Sequence, residues 1–293
     1  MIKLREYIDN HSERKGKSAM AKVQSKFIIA NGVRTHYLEA GEGDPVILLH
    51  SGEFGGCAEL SWEYNIEALS EHFHVYAPDW LGFGQTDKLF DFTRMYDRRI
   101  EHIRDFMDVL CIESAHFIGN SMGATMLIKE ASQEKPRWNM NKIIVVSGGG
   151  FVPENEARII LNTYDCTREH MRKLVDAVFI DKKWVNDEYV EKRYQLSLEP
   201  GAWECTAAAR FKSPAAQPSS EFKQFMNTDY TGVQAPTFIM VGELDTLREP
   251  GYHKVMEEQI PNNRVHIFKG AGHCPNIECH EEFNRLAIEF LRA

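Results

Sequence analysis

Short apolar runs alternate with longer amphipathic stretches along most of the chain, and this rhythm constrains the fold more than any other feature. The run at residues 45–49 is continuously apolar and lies between Gly43 and Gly52, which is typical of a strand buried on both faces. Residues 96–112 place apolar side chains at helical spacing with charges between them. Strands that alternate with helices predict right-handed crossovers and a parallel sheet covered by helices on both faces.

The remaining elements follow from the same two periods. Asn31-Gly32 separates two short apolar segments and predicts a hairpin of antiparallel strands over residues 27–38. A second helix is predicted over residues 122–134, after a strand. The other predicted strands cover residues 73–77, 115–119, 142–146, 236–241 and 264–268. The fold class predicted from this order is α/β.

The strand rhythm stops after the three glycines at residues 148–150 and resumes at Pro236. The intervening stretch is too long for a loop and carries its own apolar residues, so we predict an inserted helical cap over residues 151–232. The α/β core then comprises residues 26–150 and 233–293. A cap above the strand ends of an open α/β sheet covers the crevice in which such folds bind ligands.

Charge and composition exclude several classes of function. The chain has 34 basic and 43 acidic side chains and a net charge of −9, which argues against a nucleic-acid-binding surface. No apolar run approaches the length of a membrane span. Residues 1–25 form a predicted basic extension without the apolar core of a secretory signal, so we expect a cytoplasmic protein. Six cysteines without a C-x-x-C pair indicate reduced thiols.

The sequence Gly-Asn-Ser-Met-Gly at residues 119–123 matches G-x-S-x-G between a predicted strand and a predicted helix. In that context the turn forces its central residue into a strained conformation, and side chains two positions on either side would clash. Ser121 is therefore the predicted nucleophile, exposed above the sheet at a helix N-terminus. The alternative is a glycine-flanked serine that only caps the helix.

A serine hydroxyl needs a base to take its proton, and the chain has twelve histidines. His273 is the predicted base because it follows a strand and the sharp Gly-Ala-Gly turn at residues 270–272. Asp245 follows the preceding strand and is the predicted acid, with Glu243 as the second candidate. His72 and His74 lack a carboxylate or cysteine at ligand spacing, so no metal and no cofactor are expected.

A tetrahedral intermediate also needs two N–H donors. Met122 directly follows the nucleophile and supplies one donor from its backbone. The other is predicted at Gly52, in the glycine-containing loop after the strand at residues 45–49. The chain order Ser121, Asp245, His273 is that of the α/β-hydrolases.

These motifs resemble the α/β-hydrolase superfamily, and within it the chain is most similar to the meta-cleavage-product hydrolases, which cleave C–C bonds. The resemblance covers nearly the whole chain from Lys26. It includes the stretches at residues 78–84, 119–123, 191–197 with Pro200-Gly201, and 281–286. Three departures are Glu53 in the oxyanion loop, Cys274 where the family often has Trp, and Ala124 where it commonly has Gly.

The resemblance implies hydrolysis of a 2-hydroxy-6-oxo-dienoate from aromatic catabolism, by a homo-oligomer that is a dimer or a tetramer. It implies that Arg193 pairs with the substrate carboxylate and that Asn120 contacts the 2-oxo oxygen. Ser51, Trp203 and Cys274 are further expected substrate contacts. Two alternatives remain open at this point. One is a carboxylesterase or lactonase, which would need only an apolar acyl pocket lined by Trp184, Tyr189, Trp203 and Phe211. The other is a catalytically silent receptor.

Overall fold

A computed structural model describes residues 22–91, 93–150, 152–208 and 228–293. Within these residues, eight strands form a single sheet, in the order β1-β2-β4-β3-β5-β6-β7-β8. The strands are β1 (Gln24–Ala30), β2 (Val33–Ala40), β3 (Pro45–Leu49), β4 (His74–Pro78), β5 (Ala115–Asn120), β6 (Met140–Val146), β7 (Thr237–Gly242) and β8 (Asn263–Phe268).

The sheet is parallel from β4 and β3 through to β8, as the alternation of strands and helices predicts. β1 and β2 form the predicted antiparallel hairpin, and β2 is also antiparallel to β4. The hairpin turn has Asn31 at φ 48° and Gly32 at φ 83°, the left-handed values that a tight two-residue turn requires. The order of the strands places the ends of β3, β5, β6, β7 and β8 along one edge of the sheet.

Helices cover both faces of the sheet. In β3, Ile47 and Leu49 belong to the apolar cluster on one face, whereas Val46 and Leu48 belong to the cluster on the other. This alternation explains the continuous apolar run in the sequence, because both sides of the strand are buried. The core helices are α1 (Ala58–Trp62), α2 (Ile66–Ser70), α3 (Met95–Val109), α4 (Met122–Ala131), α9 (Lys254–Gln259), α10 (Pro275–Glu278) and α11 (His280–Arg292).

Between β6 and β7 the described chain is helical. A third apolar cluster joins Met171, Leu174 and Val190 of this segment to Phe54 and Leu247, which lie in loops of the core. The helices are α5 (Glu156–Asn162), α6 (Arg168–Val178), a 3-10 turn (Lys182–Trp184), α7 (Asp187–Ser197) and α8 (Ala202–Ala208). Burial of this cluster holds α6 and α7 against the loops at the strand ends.

Some predictions fall partly outside the described residues. Residues 1–21 of the predicted N-terminal extension are outside them, and β1 begins at Gln24, shortly before the start predicted for the core. Within the predicted cap, Phe151 and residues 209–227, which include Phe211, are also outside them. In the described part of the chain, no helix is long and apolar enough to cross a membrane.

Candidate active site

The predicted nucleophile occupies the turn between β5 and α4. Ser121 has φ 53° and ψ −110°, a conformation that side chains rarely adopt and that marks a strained functional position. The flanking glycines are required by close approach of the backbone. A Cβ atom on Gly119 would lie 2.6 Å from the backbone N of Ala124, and one on Gly123 would lie 2.2 Å from the carbonyl O of Leu49. The turn thus presents Ser121 at the edge where the strands end.

The structure brings Ser121, His273 and Asp245 together from three separate strand ends. The Oγ of Ser121 lies 2.7 Å from Nε2 of His273. The other ring nitrogen, Nδ1, lies 2.9 and 2.8 Å from the two carboxylate oxygens of Asp245. In the neutral tautomer that fits this arrangement, Nδ1–H donates to Asp245 and Nε2 accepts from the serine hydroxyl. All the contacts needed to remove the serine proton are therefore in place.

Asp245 is held as an anion by its surroundings. Burial raises its pKa, but the imidazole of His273 and the guanidinium of Arg248 outweigh that effect, so the pKa lies below its usual value. The backbone N–H of Leu247 also donates to Oδ1 at 2.9 Å. The second candidate, Glu243, instead accepts the backbone N–H of Gly270 at 3.0 Å and is exposed. The geometry therefore favours Asp245 as the partner of the histidine.

Sequence reasoning missed Arg248. Its side chain is buried and donates through Nε to the carbonyl of Ser147 at 2.9 Å. Its two Nη atoms donate to the carbonyl of Gly149 and to the hydroxyl of Thr125, each at 3.2 Å. Arg248 thus connects the loop that carries Asp245 to the end of β6 and to α4. Its spacing of three residues from Asp245 was the only sequence signal, and that signal is weak.

The two predicted N–H donors lie next to each other. A Cβ atom on Gly52 would lie only 2.5 Å from Sδ of Met122, so the loop after β3 packs directly on the first turn of α4. Only a residue without a side chain fits this approach. The role of Gly52 and Met122 as an oxyanion hole stays a prediction, and this contact is what supports it.

His50 at the end of β3, another residue that the sequence did not single out, orders the start of this loop. Its Nδ1–H donates to the carbonyl of Ser51 at 2.6 Å, and its Nε2 accepts the backbone N–H of Trp80 at 3.0 Å. Burial lowers the pKa of His50 to about 4, so the ring is neutral and matches this pattern of one donor and one acceptor. The Trp80 indole N–H donates in return to the His50 carbonyl at 3.0 Å.

Arg193 on α7 contacts a carboxylate of the protein itself. Its Nη2 lies 3.1 Å from Oε2 of Glu53, and the two side chains are only 2% and 4% exposed. The other carboxylate oxygen of Glu53 lies 3.9 Å from Nε2 of His273. Burial raises the pKa of Glu53, but the nearby Arg193 and His273 and the hydrogen bond from Ser51 have the larger effect and lower the pKa to about 2. Glu53 is therefore an anion beside the reacting atoms.

Glu53 entered the sequence analysis only as a departure from the usual oxyanion loop, and its pairing with Arg193 was not predicted. The loop reaches α7 because Gly55 has φ 69° and passes directly over the helix backbone. A Cβ atom on Gly55 would lie 2.1 Å from the carbonyl O of Arg193. This contact positions Glu53 opposite the guanidinium.

Two of the expected substrate contacts are engaged with each other and with the backbone. The amide nitrogen of Asn120 donates to the carbonyls of Val146 and His273 at 3.5 and 3.4 Å. The thiol of Cys274 points to Oδ1 of Asn120 at 3.8 Å, and burial raises the pKa of that thiol. Both residues thus connect the end of β5 to the loop that carries His273. Their contacts with substrate stay predictions.

The other two expected contacts are Ser51, in the loop after β3, and Trp203 on α8. The hydroxyl of Ser51 is buried, 3.4 Å from the hydroxyl of Ser61. Trp203 on α8 stacks on Phe54 with ring centroids 6.4 Å apart, and its indole N–H donates to the carbonyl of Tyr164 at 3.3 Å. Trp203 thus extends the apolar cluster of the helical segment toward the oxyanion loop.

Trp184 and Tyr189, expected to line the acyl pocket in the esterase alternative, lie in different surroundings. Trp184 packs edge-on against Tyr64 and His280 of the core, with ring centroids 5.1 and 6.1 Å apart. The ring of Tyr189 lies 5.8 Å from the Arg193 guanidinium. Tyr189 is thus close to the buried ion pair, whereas Trp184 contributes to the contact between the helical segment and the core.

No group of three histidine, cysteine or acidic residues that could hold a metal ion occurs among the described residues. His72 lies in a turn rather than on a strand. His74, at the start of β4, pairs with Glu39 at 2.9 Å.

A family model described as "Alpha/beta hydrolase family" matches residues 46–286. The chain belongs to this family. It is 30% identical over 286 residues to the 2-hydroxy-6-oxo-6-(2'-aminophenyl)hexa-2,4-dienoic acid hydrolase of Metapseudomonas resinovorans, with 96% of each chain covered. It is 29% identical to the 2-hydroxymuconate semialdehyde hydrolase of a Pseudomonas species, with 90% of this chain and 92% of the relative covered.

Solved structures agree with these relationships. A meta-cleavage product hydrolase from Pseudomonas fluorescens superimposes with a TM-score of 0.81 at 31% identity, covering 91% of this chain and 97% of that one. The predicted α/β-hydrolase fold and the predicted kinship with the meta-cleavage product hydrolases are both confirmed. The protein is an α/β-hydrolase enzyme similar to C–C bond hydrolases.

Proposed function

We propose that the protein is a serine hydrolase that cleaves a C–C bond in ring-fission products of the 2-hydroxy-6-oxo-dienoate type. The observation that carries this proposal is the relay from Ser121 Oγ through the His273 ring to Asp245, with contacts of 2.7 to 2.9 Å. The similarity to enzymes named as dienoate hydrolases, over nearly the full length of the chain, supports the C–C bond as the target.

The reaction begins with a proton transfer within the substrate. The dienol is ketonised by transfer of a proton from the 2-hydroxyl group to C5. C5 then becomes a leaving group, because the electrons of the C5–C6 bond can delocalise through the C3=C4 double bond onto the C2 carbonyl. His273 is the proton carrier that this step requires, because its Nε2 faces the site and already contacts the serine oxygen at 2.7 Å.

Ser121 then attacks the C6 carbonyl while His273 takes the serine proton. The charge that develops on the carbonyl oxygen is stabilised by the backbone N–H groups of Gly52 and Met122. Asp245 stabilises the imidazolium and holds its orientation. The C5–C6 bond breaks and its electron pair delocalises onto the oxygen at C2. That oxygen takes the proton from His273 to give the hydroxypentadienoate, and an acyl group remains on Ser121.

Water completes the cycle. His273 removes a proton from a water molecule, which attacks the acyl-enzyme, and collapse of the second tetrahedral intermediate releases a carboxylic acid and restores Ser121. The same two N–H donors and the same carboxylate serve both halves of the reaction. No cofactor takes part in this scheme.

The test is a panel of ring-fission products that differ in the substituent on C6, followed by loss of the yellow dienolate absorbance. We expect stoichiometric formation of a hydroxypentadienoate and a carboxylic acid, abolished in the Ser121→Ala variant. Labelling by a fluorophosphonate should depend on the same serine.

Turnover of p-nitrophenyl acetate without any dienoate cleavage would contradict the C–C reaction and identify an esterase or lactonase. Absence of both turnover and labelling would overturn hydrolase activity altogether. A Glu243→Gln variant is the matched control for the acid, since its carboxylate contacts a backbone N–H outside the relay.

A further inference from the structure

One carboxylate outside the relay contacts both the helical segment and the loop that carries His273. Glu278 is the last residue of α10, five positions after the histidine. Its Oε1 accepts the backbone N–H of Gly272 at 2.8 Å, and its Oε2 accepts the backbone N–H groups of Ile180 and Asp181 at 3.0 and 3.2 Å. Glu278 thus joins the residue before the base to the main chain between α6 and the 3-10 turn.

We propose that Glu278 is a positioning residue for the reaction, which couples the placement of His273 to the docking of the helical segment on the core. The inference rests on the proposed function, since it takes His273 as the base that removes the proton of Ser121. Glu278 acts through the backbone of Gly272 rather than on the reacting atoms.

The first argument is that the backbone at the histidine bonds to the helical segment. Four residues separate the end of β8 from the histidine, and Gly270 among them has φ 73°. The backbone N–H of His273 donates to the carbonyl of Val178, at the end of α6, at 3.2 Å. By contrast, the backbone N–H of Ser121 donates to the carbonyl of Val146 in β6 at 2.8 Å. The sheet brings both residues to its edge, and the helical segment then contributes to the placement of the histidine.

The second argument is the lack of free space around Gly272. A Cβ atom on this residue would lie 2.9 Å from both Oε1 of Glu278 and Cγ1 of Ile180, and 3.1 Å from the carbonyl O of Val178. On its other side, the carbonyl O of Gly272 lies where it would collide with a Cβ atom on Gly242 of β7. Gly272 is therefore enclosed between the end of β7 and the contacts to the helical segment. In such close packing, a displacement of the segment moves the residue next to the base.

The third argument is that the contact on both sides needs a carboxylate. Each oxygen of Glu278 accepts from a different part of the chain, whereas an amide offers one oxygen and one NH2 group. Glu243 provides the comparison, because it accepts a backbone N–H of the same turn, that of Gly270, through Oε2 at 3.0 Å. Glu243→Gln keeps an oxygen for that contact. Glu278→Gln leaves either Gly272 or the helical segment facing an NH2 group.

The first test compares Glu278→Gln with Glu243→Gln as the matched control. For each protein we would measure kcat and KM for a ring-fission dienoate and the second-order rate constant with which a small fluorophosphonate labels Ser121. We expect Glu278→Gln to lower kcat and the labelling rate constant by at least about tenfold, because both need the base in place. KM should change by less than about threefold, and Glu243→Gln should stay close to the wild type.

A binding measurement separates positioning from a general loss of structure. In a Ser121→Ala background the dienoate binds without being cleaved, so its dissociation constant reports the pocket alone. Adding Glu278→Gln should change that constant by less than about threefold. If the dissociation constant instead rises as much as the labelling rate constant falls, the substitution disturbs the whole site and the positioning role is wrong.

The contribution of the helical segment is tested at Asp181. This residue has φ −77°, which proline can adopt, so Asp181→Pro removes the N–H that donates to Glu278 and keeps the backbone angle. Asp181→Ala is its control, since it removes the same carboxylate and keeps the N–H. We expect Asp181→Pro to be labelled about threefold more slowly than Asp181→Ala, because the bond from Ile180 remains. Equal rates would contradict the coupling, and this pair decides the question if Glu278→Gln does not fold.

Labelling of Glu278→Gln at the wild-type rate would overturn the proposal. Failure of the proposed C–C reaction is distinguishable, because labelling of Ser121 does not depend on which bond the enzyme cleaves. Dienoates would then remain intact, while slower labelling of Glu278→Gln would still support the positioning role. Absence of labelling in the wild type would overturn both.

Discussion

The sheet side and the cap side of the active site are built differently. On the sheet side, Ser121, His273 and Asp245 are joined by contacts of 2.7 to 2.9 Å, with no gap in the relay. On the cap side, Arg193 makes one contact of 3.1 Å to Glu53, and its Nε has no acceptor among the described residues. The sheet side thus forms a continuous relay, whereas the cap side leaves one buried donor without an acceptor among the described residues.

The difference follows from what holds each side in place. Ser121 and Asp245 follow β5 and β7, which are bonded to a neighbouring strand on both sides, and His273 follows β8, which pairs with β7 at the end of the sheet. The sheet thus positions all three residues. The cap-side residues meet only where α7 packs on the loop after β3, at Gly55. We infer that the strand ends hold the relay in place, whereas the contact between Arg193 and Glu53 depends on the packing of α7 against this loop.

The largest expected effect is on the sheet side. Ser121→Ala and His273→Ala should each reduce turnover about 10⁴- to 10⁶-fold, and the double variant should be little worse, because the residues act as one unit. Asp245→Asn should cost about 10⁴-fold, through the wrong imidazole tautomer. Single-turnover and steady-state rates of dienoate cleavage measure the loss of turnover in each variant.

Additive losses in the double variant would indicate that serine and histidine act independently. Near wild-type turnover in Asp245→Asn would show that another carboxylate serves as the acid. Loss of turnover in Glu243→Gln would then identify Glu243 as that carboxylate.

The next effect is on stability and belongs to the cap side. Arg193→Ala leaves the buried Glu53 carboxylate without its partner and should lower the free energy of unfolding by about 3–5 kcal/mol. The double variant Arg193→Ala/Glu53→Gln should recover most of that loss, since no charge is then left unpaired. Urea denaturation of the three proteins measures both values.

Arg137→Ala is the control for this prediction. Arg137 is 29% exposed, so water can reach Glu130 once the arginine is removed, and the loss should be smaller. If Arg193→Ala lowers the free energy of unfolding by less than Arg137→Ala does, the prediction that the Arg193–Glu53 pair is more sensitive than the Arg137–Glu130 pair is wrong.

Acid should weaken the cap side through Glu53. Its pKa in the folded protein is about 2, below the usual value of 4.5. A lowered folded pKa contributes stability that is fully present above the unfolded pKa and is lost as the pH falls from about 4.5 toward 2. Over this window Glu53→Gln should therefore lose about 3 kcal/mol less than the wild type. If the free energy of unfolding falls equally with pH in the two proteins, Glu53 is not an ionised buried group.

The smallest effect is expected at the edge of the cap side. Trp203→Phe keeps an aromatic ring against Phe54 but removes the hydrogen bond to the carbonyl of Tyr164, and it should cost about 1 kcal/mol of stability. Trp184→Phe should cost less, because the buried indole N–H of Trp184 has no acceptor among the described residues. Thermal unfolding compares the two variants.

If Trp203 lines the substrate pocket, Trp203→Phe should also change the preference among C6 substituents. A loss of stability with unchanged preference would assign Trp203 to the packing of the helical segment alone.

Local patterns were enough to predict the sheet and the residues at its edge. The run at residues 45–49, the glycines around Ser121 and the turn before His273 each have a physical reason that needs only a few neighbouring residues. The ends of elements were less predictable, because polar side chains near a helix end can bond its last carbonyls, as Ser132 and Gln133 do at the carbonyl of Lys129. The helix predicted over residues 122–134, for example, ends at Ala131.

The sequence by itself determined the order of the strands along the chain and was enough to predict that Ser121, His273 and Asp245 come together, because parallel strands bring their carboxyl ends to one edge. Only the tertiary structure decided that Glu53 meets Arg193, 140 residues away, and that Asn120 gives its amide to two carbonyls. No local pattern encodes such contacts. The ion pair exists because α7 packs on the loop after β3, where burying either charge without a partner would be costly.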